Sequence, residues 1–435
     1  MSVGAMSVER VNRLDVWRTL GDGRRHRVGV LAQNRQGVFF QYAGDYLARF
    51  ANLSPFGLRF DASLQAAPRT PHAGLQGVFA DSLPDGWGLL LMDRVFRQAG
   101  IAPAQVTALD RLAFVADRGL GALSYEPPSS LQPAATETRI DLGELGLHAQ
   151  ALYEGQTTEV LAELVRVGSS GGARPKAQLY LSETDNDRCS SAPGPGRTAY
   201  LVKFTSSSLP LGHEEGLCEA AYLTMARQAD IEVANWRLLD APTASGARHW
   251  LAVERFDTNG AGGRWHLHSA CGLLDADFRM PSLDYEDLIK ASSLLCHSPA
   301  VGQAQFRRAV FNLFALNQDD HSKNWAFLQD DQGQWRPSPF YDATFSPGPY
   351  GEHATAFAGF GKAPPRKAMQ RLAAQANFAH WRQARAVIAE VVECISGFGE
   401  IAKGLGVGDD SIRLIQRRLE DVRLANQGLL ADASA

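Results

Sequence analysis

Cysteine is scarce. The five thiols in 435 residues (Cys189, Cys218, Cys271, Cys296, Cys394) form no C-x-x-C pair and are odd in number. Neither a zinc ribbon nor a disulfide framework is supported, and reduced thiols are expected. No apolar run reaches the length of a membrane span, and the start, MSVGAMSVER, lacks the apolar centre of a secretory signal. A cytoplasmic protein with no membrane partner is therefore expected. Charge of one sign is not in excess either: Lys+Arg 43 against Asp+Glu 47 leaves a formal −4. That balance argues against a chain-wide cationic surface for nucleic acid or anionic lipid. Gly 41 and Pro 21 lie near average usage, which excludes collagen-like and low-complexity classes. Gly-x-Ser-x-Gly is missing, so no nucleophile elbow is indicated.

What remains is a globular composition, 45% hydrophobic and 21% charged. The length suggests about three folding units. Residues 1–130 mix strand-like runs (28–31 and 37–42, a hairpin) with a helix expected over 86–99 after Leu83-Pro84-Asp85-Gly86. A turn-rich patch from Pro127 to Pro133 and a polar stretch to Asp141 read as a linker. Residues 140–257 alternate helices with strands near 177–181, 199–204, 236–239 and 250–256. Residues 258–435 read as mainly helical. There Ile412, Ile415, Leu419 and Val422 form one apolar face behind an expected Asp409/Asp410 cap. A β-rich half followed by an α-rich half indicates an α+β chain with a cleft between lobes.

Four features carry candidate chemistry. Asn317-Gln318-Asp319-Asp320-His321-Ser322-Lys323-Asn324 follows an apolar helix. A solvated helix end would explain it. Asp319 and Asn324 nevertheless stand in the Asp-x4-Asn relation of phosphoryl-transfer catalytic loops, where Asp takes a hydroxyl proton and Asn holds Mg²⁺. Downstream, Pro339-Phe340-Tyr341-Asp342 sets a lone carboxylate after a strand-like run, a position suited to a second Mg²⁺ ligand or to an ordinary turn. The small-residue loop at 168–173 is neither a Walker A nor a Gly-x-Gly-x-x-Gly sequence, yet its backbone N–H groups are open to phosphate. Lys203 closes a strand, and Glu219 follows in the next helix. Each feature has a plain structural explanation, but their serial order is that of a two-lobed kinase.

At these residues the chain resembles the HipA-type serine/threonine kinases, toxin components of bacterial toxin–antitoxin pairs. Leu83-Pro84-Asp85-Gly86 and Gly121-Ala122-Leu123 look like the family's N-terminal subdomain. Gly172-Ala173-Arg174-Pro175-Lys176 resembles its nucleotide loop, Val202-Lys203 its phosphate-binding strand and Val253-Glu254-Arg255-Phe256-Asp257 its hinge. Asp319 through Asn324 and Pro339 through Asp342 resemble its two catalytic signatures.

The resemblance implies a protein-kinase-like fold with a β-rich N-lobe and helical C-lobe, preceded by an α/β subdomain. It implies ATP and Mg²⁺, with Asp319 as base and Asn324 and Asp342 as metal ligands. Lys203, with Glu219 as its candidate partner, would meet the ATP phosphates. Ser170, Gly171, Gly172, Ala173, Arg174, Pro175 and Lys176 would surround the triphosphate. The hinge at Glu254, Arg255 and Phe256 would meet adenine, and His321, Ser322, Lys323 and Tyr341 would lie close by. Autophosphorylation would fall on Ser169, with Ser170 the near alternative.

The implied substrate is a cellular protein, an aminoacyl-tRNA synthetase being one candidate, modified to arrest growth. The implied partner is a HipB-like helix-turn-helix antitoxin that makes the DNA contacts, in keeping with the −4 charge. His266-Leu267-His268-Ser269-Ala270 departs from the family's usual Gln-Glu-Asp-type segment, which bears on substrate choice. The His266-x-His268 pair is read as packed or exposed histidines rather than a metal site, since no third ligand stands at useful spacing. The alternatives are a nucleotide-binding, pseudokinase-like regulator and a DNA-binding corepressor bound to antitoxin.

Overall fold

The computed structural model describes residues 10–133, 139–168, 171–182, 189–260 and 262–431. Among them, helices and sheets alternate along an α+β chain. The first sheet holds Arg13–Thr19 (β1), Arg25–Asn34 (β2), Gly37–Tyr42 (β3), Gln65–Ala66 (β4) and Leu123–Glu126 (β5) in the order β4-β3-β2-β1-β5. Its strands alternate as the two-residue period requires, and Leu14, Val16 and Arg18 face inward from β1. Arg18 is fully buried and donates to Tyr46 Oη at 3.0 Å, Gln329 Oε1 at 3.1 Å and the Asp330 carbonyl at 2.7 Å.

The second sheet is built from Arg139–Ile140 (β6), Lys176–Ser182 (β7), Cys189–Ser190 (β8), Arg197–Lys203 (β9), Trp236–Asp240 (β10) and His249–Glu254 (β11). Their order is β10-β11-β9-β7-β8-β6. Antiparallel register sets Lys176 opposite Lys203, so two ammonium groups share one end of the sheet. The helix Leu142–Tyr153 covers it. There Gly146 admits the Trp250 ring, which would lie 2.2 Å from a Cβ at that position.

Helix Glu215–Gln228 is buried almost all round and packs between β11 and the helix Phe398–Gly404. A helix apolar on every side belongs in a core rather than at a surface. It joins the largest apolar cluster, with Pro299–Phe314, Trp381–Ser396 and Asp409–Ala425.

Beyond residue 258 helices predominate, but five short strands interrupt them. They are His266–Ser269 (β12), Leu283–Asp284 (β13), Ala326–Gln329 (β14), Trp335–Pro337 (β15) and Thr355–Ala356 (β16). β12, β14 and β15 make a three-stranded sheet, while β13 pairs in parallel with β16. Runs of two to four residues give too little alternation to be read in advance. At the last long helix Gly408 takes the N-cap position, and Asp409 and Asp410 fall in the first turn. The expected Asp cap is therefore a dipole interaction instead.

Polar groups fasten the first sheet's unit to the rest. His268 sits between Asp81 (Nδ1···Oδ2, 2.6 Å) and Ser54 (Nε2···Oγ, 2.9 Å), and His266 Nε2 lies 2.9 Å from the Leu53 carbonyl. Both rings of the His-x-His pair are thus packed in this seam. Asp257 takes both arms of Arg255 at 3.0 and 2.7 Å and the Gly121 amide at 2.5 Å.

Burial alone would raise the Asp257 carboxyl, but the Arg255 charge holds it below the usual carboxylate value. The stabilisation from this pair is present above the ordinary carboxyl range and lost as pH falls through the depressed value. Asp257→Ala strands the buried guanidinium and is expected to cost about 3–5 kcal/mol. Urea unfolding at neutral pH checks this, and the Arg255→Met/Asp257→Leu pair should recover most of the loss.

Candidate active site

The two central strands deliver Lys176 and Lys203 together, and the carboxylates arrive from elsewhere. Helix Glu215–Gln228 starts just after β9, which brings Glu219 over the strand end; Lys203 Nζ donates to its two oxygens at 2.6 and 2.8 Å. The same ammonium pairs with Asp342 from the segment after β15. Burial works against the charged lysine, but Asp342 and Glu219 more than offset it and raise Lys203 above its ordinary value. For Asp342, burial would raise the carboxyl, yet Lys203, Lys176 and Arg174 hold it well below the usual range. Lys176 donates to the Gly171 carbonyl at 2.7 Å, and burial pulls its pKa down against the opposing charge of Asp342.

Asp342 is aimed by its neighbours. Phe340 is buried and its amide donates to the Glu232 carbonyl at 2.8 Å, while Tyr341 Oη donates to the Lys323 carbonyl at 2.6 Å. Asp342 itself has φ 52°, a left-handed conformation uncommon for a residue bearing a Cβ. Such a conformation persists where the surroundings dictate it.

The segment Asn317–Asn324 alternates anchors with projecting groups. Gln318 accepts from the Gly348 amide at 2.7 Å and donates to the Gly351 carbonyl at 2.8 Å. Asp320 is 1% exposed and accepts from the Ala354 and Thr355 amides at 2.8 and 3.2 Å, from Tyr285 and beside His353 Nδ1 at 2.9 Å. Asp319, between them, keeps a side chain 66% exposed, with His321 Nε2 at 3.6 Å. Asn324 Nδ2 donates to the Asp319 carbonyl at 2.6 Å, which leaves the amide oxygen as its open donor atom. Ser322 is buried and donates to the Ala276 carbonyl at 3.1 Å. Lys323 Nζ rests 4.4 Å from the Phe278 ring centroid.

Of the residues singled out from sequence, Lys203, Glu219 and Asp342 meet directly, and Lys176 stands opposite Lys203 in the strand register. Arg174 pairs with Glu215 at 3.1 Å, near enough for its charge to act on Asp342. Glu254 and Arg255 spend their amides on the Asn235 and Ala199 carbonyls, both at 2.8 Å, and the Phe256 ring lies 5.5 Å from Tyr341. The Arg255 side chain faces the seam, on Asp257 and Gln178, rather than this cluster. Ser169 and Ser170 lie outside the described residues.

Two carboxylates were missed. Glu215 pairs with Arg174, and Asp85 reaches in from the first unit to Lys323 at 2.7 Å and to the Gly172 amide. The Pro-Asp-Gly turn was the available signal for Asp85. The donor set suits a nucleotide with Mg²⁺: a carboxylate and an amide oxygen are hard ligands for an ion that keeps several waters, and two lysines and a glycine-rich backbone suit phosphates.

Matches to known proteins agree with this architecture. Residues 22–126 match the HipA N-terminal domain and residues 168–397 the HipA-like C-terminal domain. The chain belongs to the HipA family. Among curated relatives, "Putative kinase Y4mE" of Sinorhizobium fredii is 28% identical over 353 residues, covering 76% of this chain and 77% of that protein. The serine/threonine-protein kinase toxin HipA of Shewanella oneidensis is 24% identical over 283 residues, 60% of each chain. The solved Shewanella oneidensis HipA, in a complex with HipB and operator DNA, superposes with TM-score 0.65 at 17% identity over 96% of both chains. The fold is thus that of HipA, and the relatives carry kinase names. Among the described residues no helix is long and apolar enough to cross a membrane.

Lys203→Met leaves Glu219 and Asp342 facing one another without their cation. It is expected to destabilise the protein by about 3–5 kcal/mol, as removing one member of a buried ion cluster does. Adding Glu219→Gln should restore part of that loss; a double mutant whose loss is the sum of the two single losses in chemical unfolding would show that the contact carries no coupling.

Proposed function

We propose that this chain is a cytoplasmic serine/threonine protein kinase of the HipA toxin type, using ATP and Mg²⁺ to phosphorylate a cellular protein. The observation that carries the reading is Lys203, clamped by Glu219 on one side and Asp342 on the other, beside a loop from which Asp319 projects. A strand lysine fixed by a helix glutamate is the arrangement that holds nucleotide phosphates in protein kinases. The N-lobe would comprise residues 140–257, the catalytic lobe 258–435 and the preceding subdomain 1–130.

Lys203 and the loop Ser170–Lys176 would hold the triphosphate, and the hinge at Glu254–Phe256 would receive adenine. Asn324 and Asp342 would hold Mg²⁺, which when bound neutralises charge on the transferring phosphoryl group. Asp319, exposed and, among the described residues, hydrogen-bonded through its backbone, would take the proton of the attacking serine or threonine hydroxyl through a carboxylate oxygen. Gln318 and Asp320 fix that geometry from beneath, so approach is ordered before chemistry. Ser169 would be the site of inactivating autophosphorylation, with Ser170 the alternative. A HipB-like antitoxin would be the partner through which DNA is contacted, as HipB accompanies HipA on operator DNA in the Shewanella complex.

Dephosphorylated protein incubated with ATP and Mg²⁺ should gain the mass of one phosphate, and Asp319→Asn or Asp342→Asn should gain none while remaining folded. An unmodified wild type that also labels no lysate protein would leave a nucleotide-binding regulator as the reading. Ser169→Ala should prolong activity; phosphate found on Ser170 alone would move the switch by one residue.

A further inference from the structure

The turn Asp85-Gly86-Trp87 belongs to the first unit, yet the Asp85 carboxylate and the Trp87 amide and indole are spent on segments outside it. The Gly172 amide donates to Asp85 Oδ1. In return the Trp87 amide donates to the Gly172 carbonyl at 3.0 Å, and the Trp87 indole donates to the Lys176 carbonyl at 2.9 Å. Lys323, from the segment carrying Asp319, donates to Asp85 Oδ2 at 2.7 Å. One carboxylate therefore ties the glycine-rich loop to the catalytic segment across the cleft.

The fit is close. Gly86 has φ 42°, and a Cβ there would stand 2.5 Å from the Gly172 carbonyl oxygen and 2.7 Å from Ala173 Cα. A Cβ on Gly171 would stand 3.1 Å from Asp85 Oδ2. Asp85 is 8% exposed, so its bonds are made away from bulk water, where a charge-assisted hydrogen bond is strongest.

We propose that Asp85 is a positioning residue of the nucleotide site, supplied by the N-terminal unit, which holds the 171–176 loop and Lys323 in the arrangement that receives ATP phosphates. The proposal rests on the kinase reading for its ligand. A loop that is not held must be ordered by the nucleotide itself, and that cost appears in binding. The N-terminal unit is then part of the site, and nucleotide affinity depends on how firmly it is docked.

The test compares wild type, Asp85→Ala and Asp85→Asn in steady-state phosphorylation with ATP varied, and in calorimetric titration with ATP and Mg²⁺. Asp85→Ala, which removes the bonds to both Gly172 and Lys323, should raise the KM for ATP about 10- to 100-fold, on the scale of a charge-assisted hydrogen bond, with a smaller change in kcat. Amides 171–176 should exchange hydrogen faster while the helical core does not. Asp85→Asn, whose single amide oxygen can accept from Gly172 or from Lys323 but not from both, should recover part of the affinity.

An unchanged KM in folded Asp85→Ala overturns the proposal. So does tighter ATP binding by Asp85→Asn, which would make Asp85 a competitor for the phosphate seat. If Asp85→Ala does not fold, Trp87→Phe removes only the bond to Lys176 and should raise KM severalfold, and no change there counts against the clamp. Wild type that binds ATP without transferring phosphate would sink the kinase function while the titrations still judge Asp85.

Discussion

A single ammonium group organises the centre of this molecule. Lys203 Nζ holds Glu219 from the helix after its own strand and Asp342 from a segment more than a hundred residues later; Lys203 and Glu219 are buried and Asp342 is partly open to solvent. Burying charges is costly, and such clusters rarely gain net stability over apolar packing. A chain with this much apolar core has cheaper ways to fill the volume. The cluster makes sense as an arrangement held ready for an anion, at the kind of place where local stability is given up for function. Its members also explain each other: two carboxylates raise the lysine, and three cations depress Asp342.

The surrounding architecture follows from that constraint. Apolar residues gather into separate clusters, one under the first sheet, one under the second and one within the helical part. Polar side chains dominate several of the joins between them. Arg18, the Asp81–His268 contact, the Gly121–Asp257 contact and Asp85 all cross from one unit to another. Polar seams set position by direction and distance rather than by area, and they release more readily than apolar ones. Helix Glu215–Gln228 and β11 are the exception, since they share the apolar cluster of the C-terminal helices.

Much of this was legible because spacing and order carry information over short distances. The Lys203–Glu219 contact spans sixteen residues, and the strand and helix that carry them are regular. Asp342 was legible from its position after an apolar run. Asp85 was not, since its partners Gly172 and Lys323 stand 87 and 238 positions away, and nothing in a local pattern pairs a turn with such distant segments. The three-stranded sheet β12-β14-β15 escaped because its strands are too short to show a period. The overall fold, by contrast, matches that of the Shewanella HipA over 96% of both chains.

The neighbours Asp319 and Asp320 show what decides a role when residue type cannot. In sequence they are interchangeable, two carboxylates in one polar run. Asp320 turns into the protein, where two amides, a tyrosine hydroxyl and a histidine use up its acceptor capacity. A carboxylate so occupied is a structural pin. Asp319 turns out, its backbone held by Ser346 and Asn324 while its oxygens remain open to solvent and to His321. The pin holds the backbone, and the held backbone presents the free carboxylate. One residue of displacement would exchange the two, so the Gln318 and Asp320 anchors fix which oxygen faces the cleft.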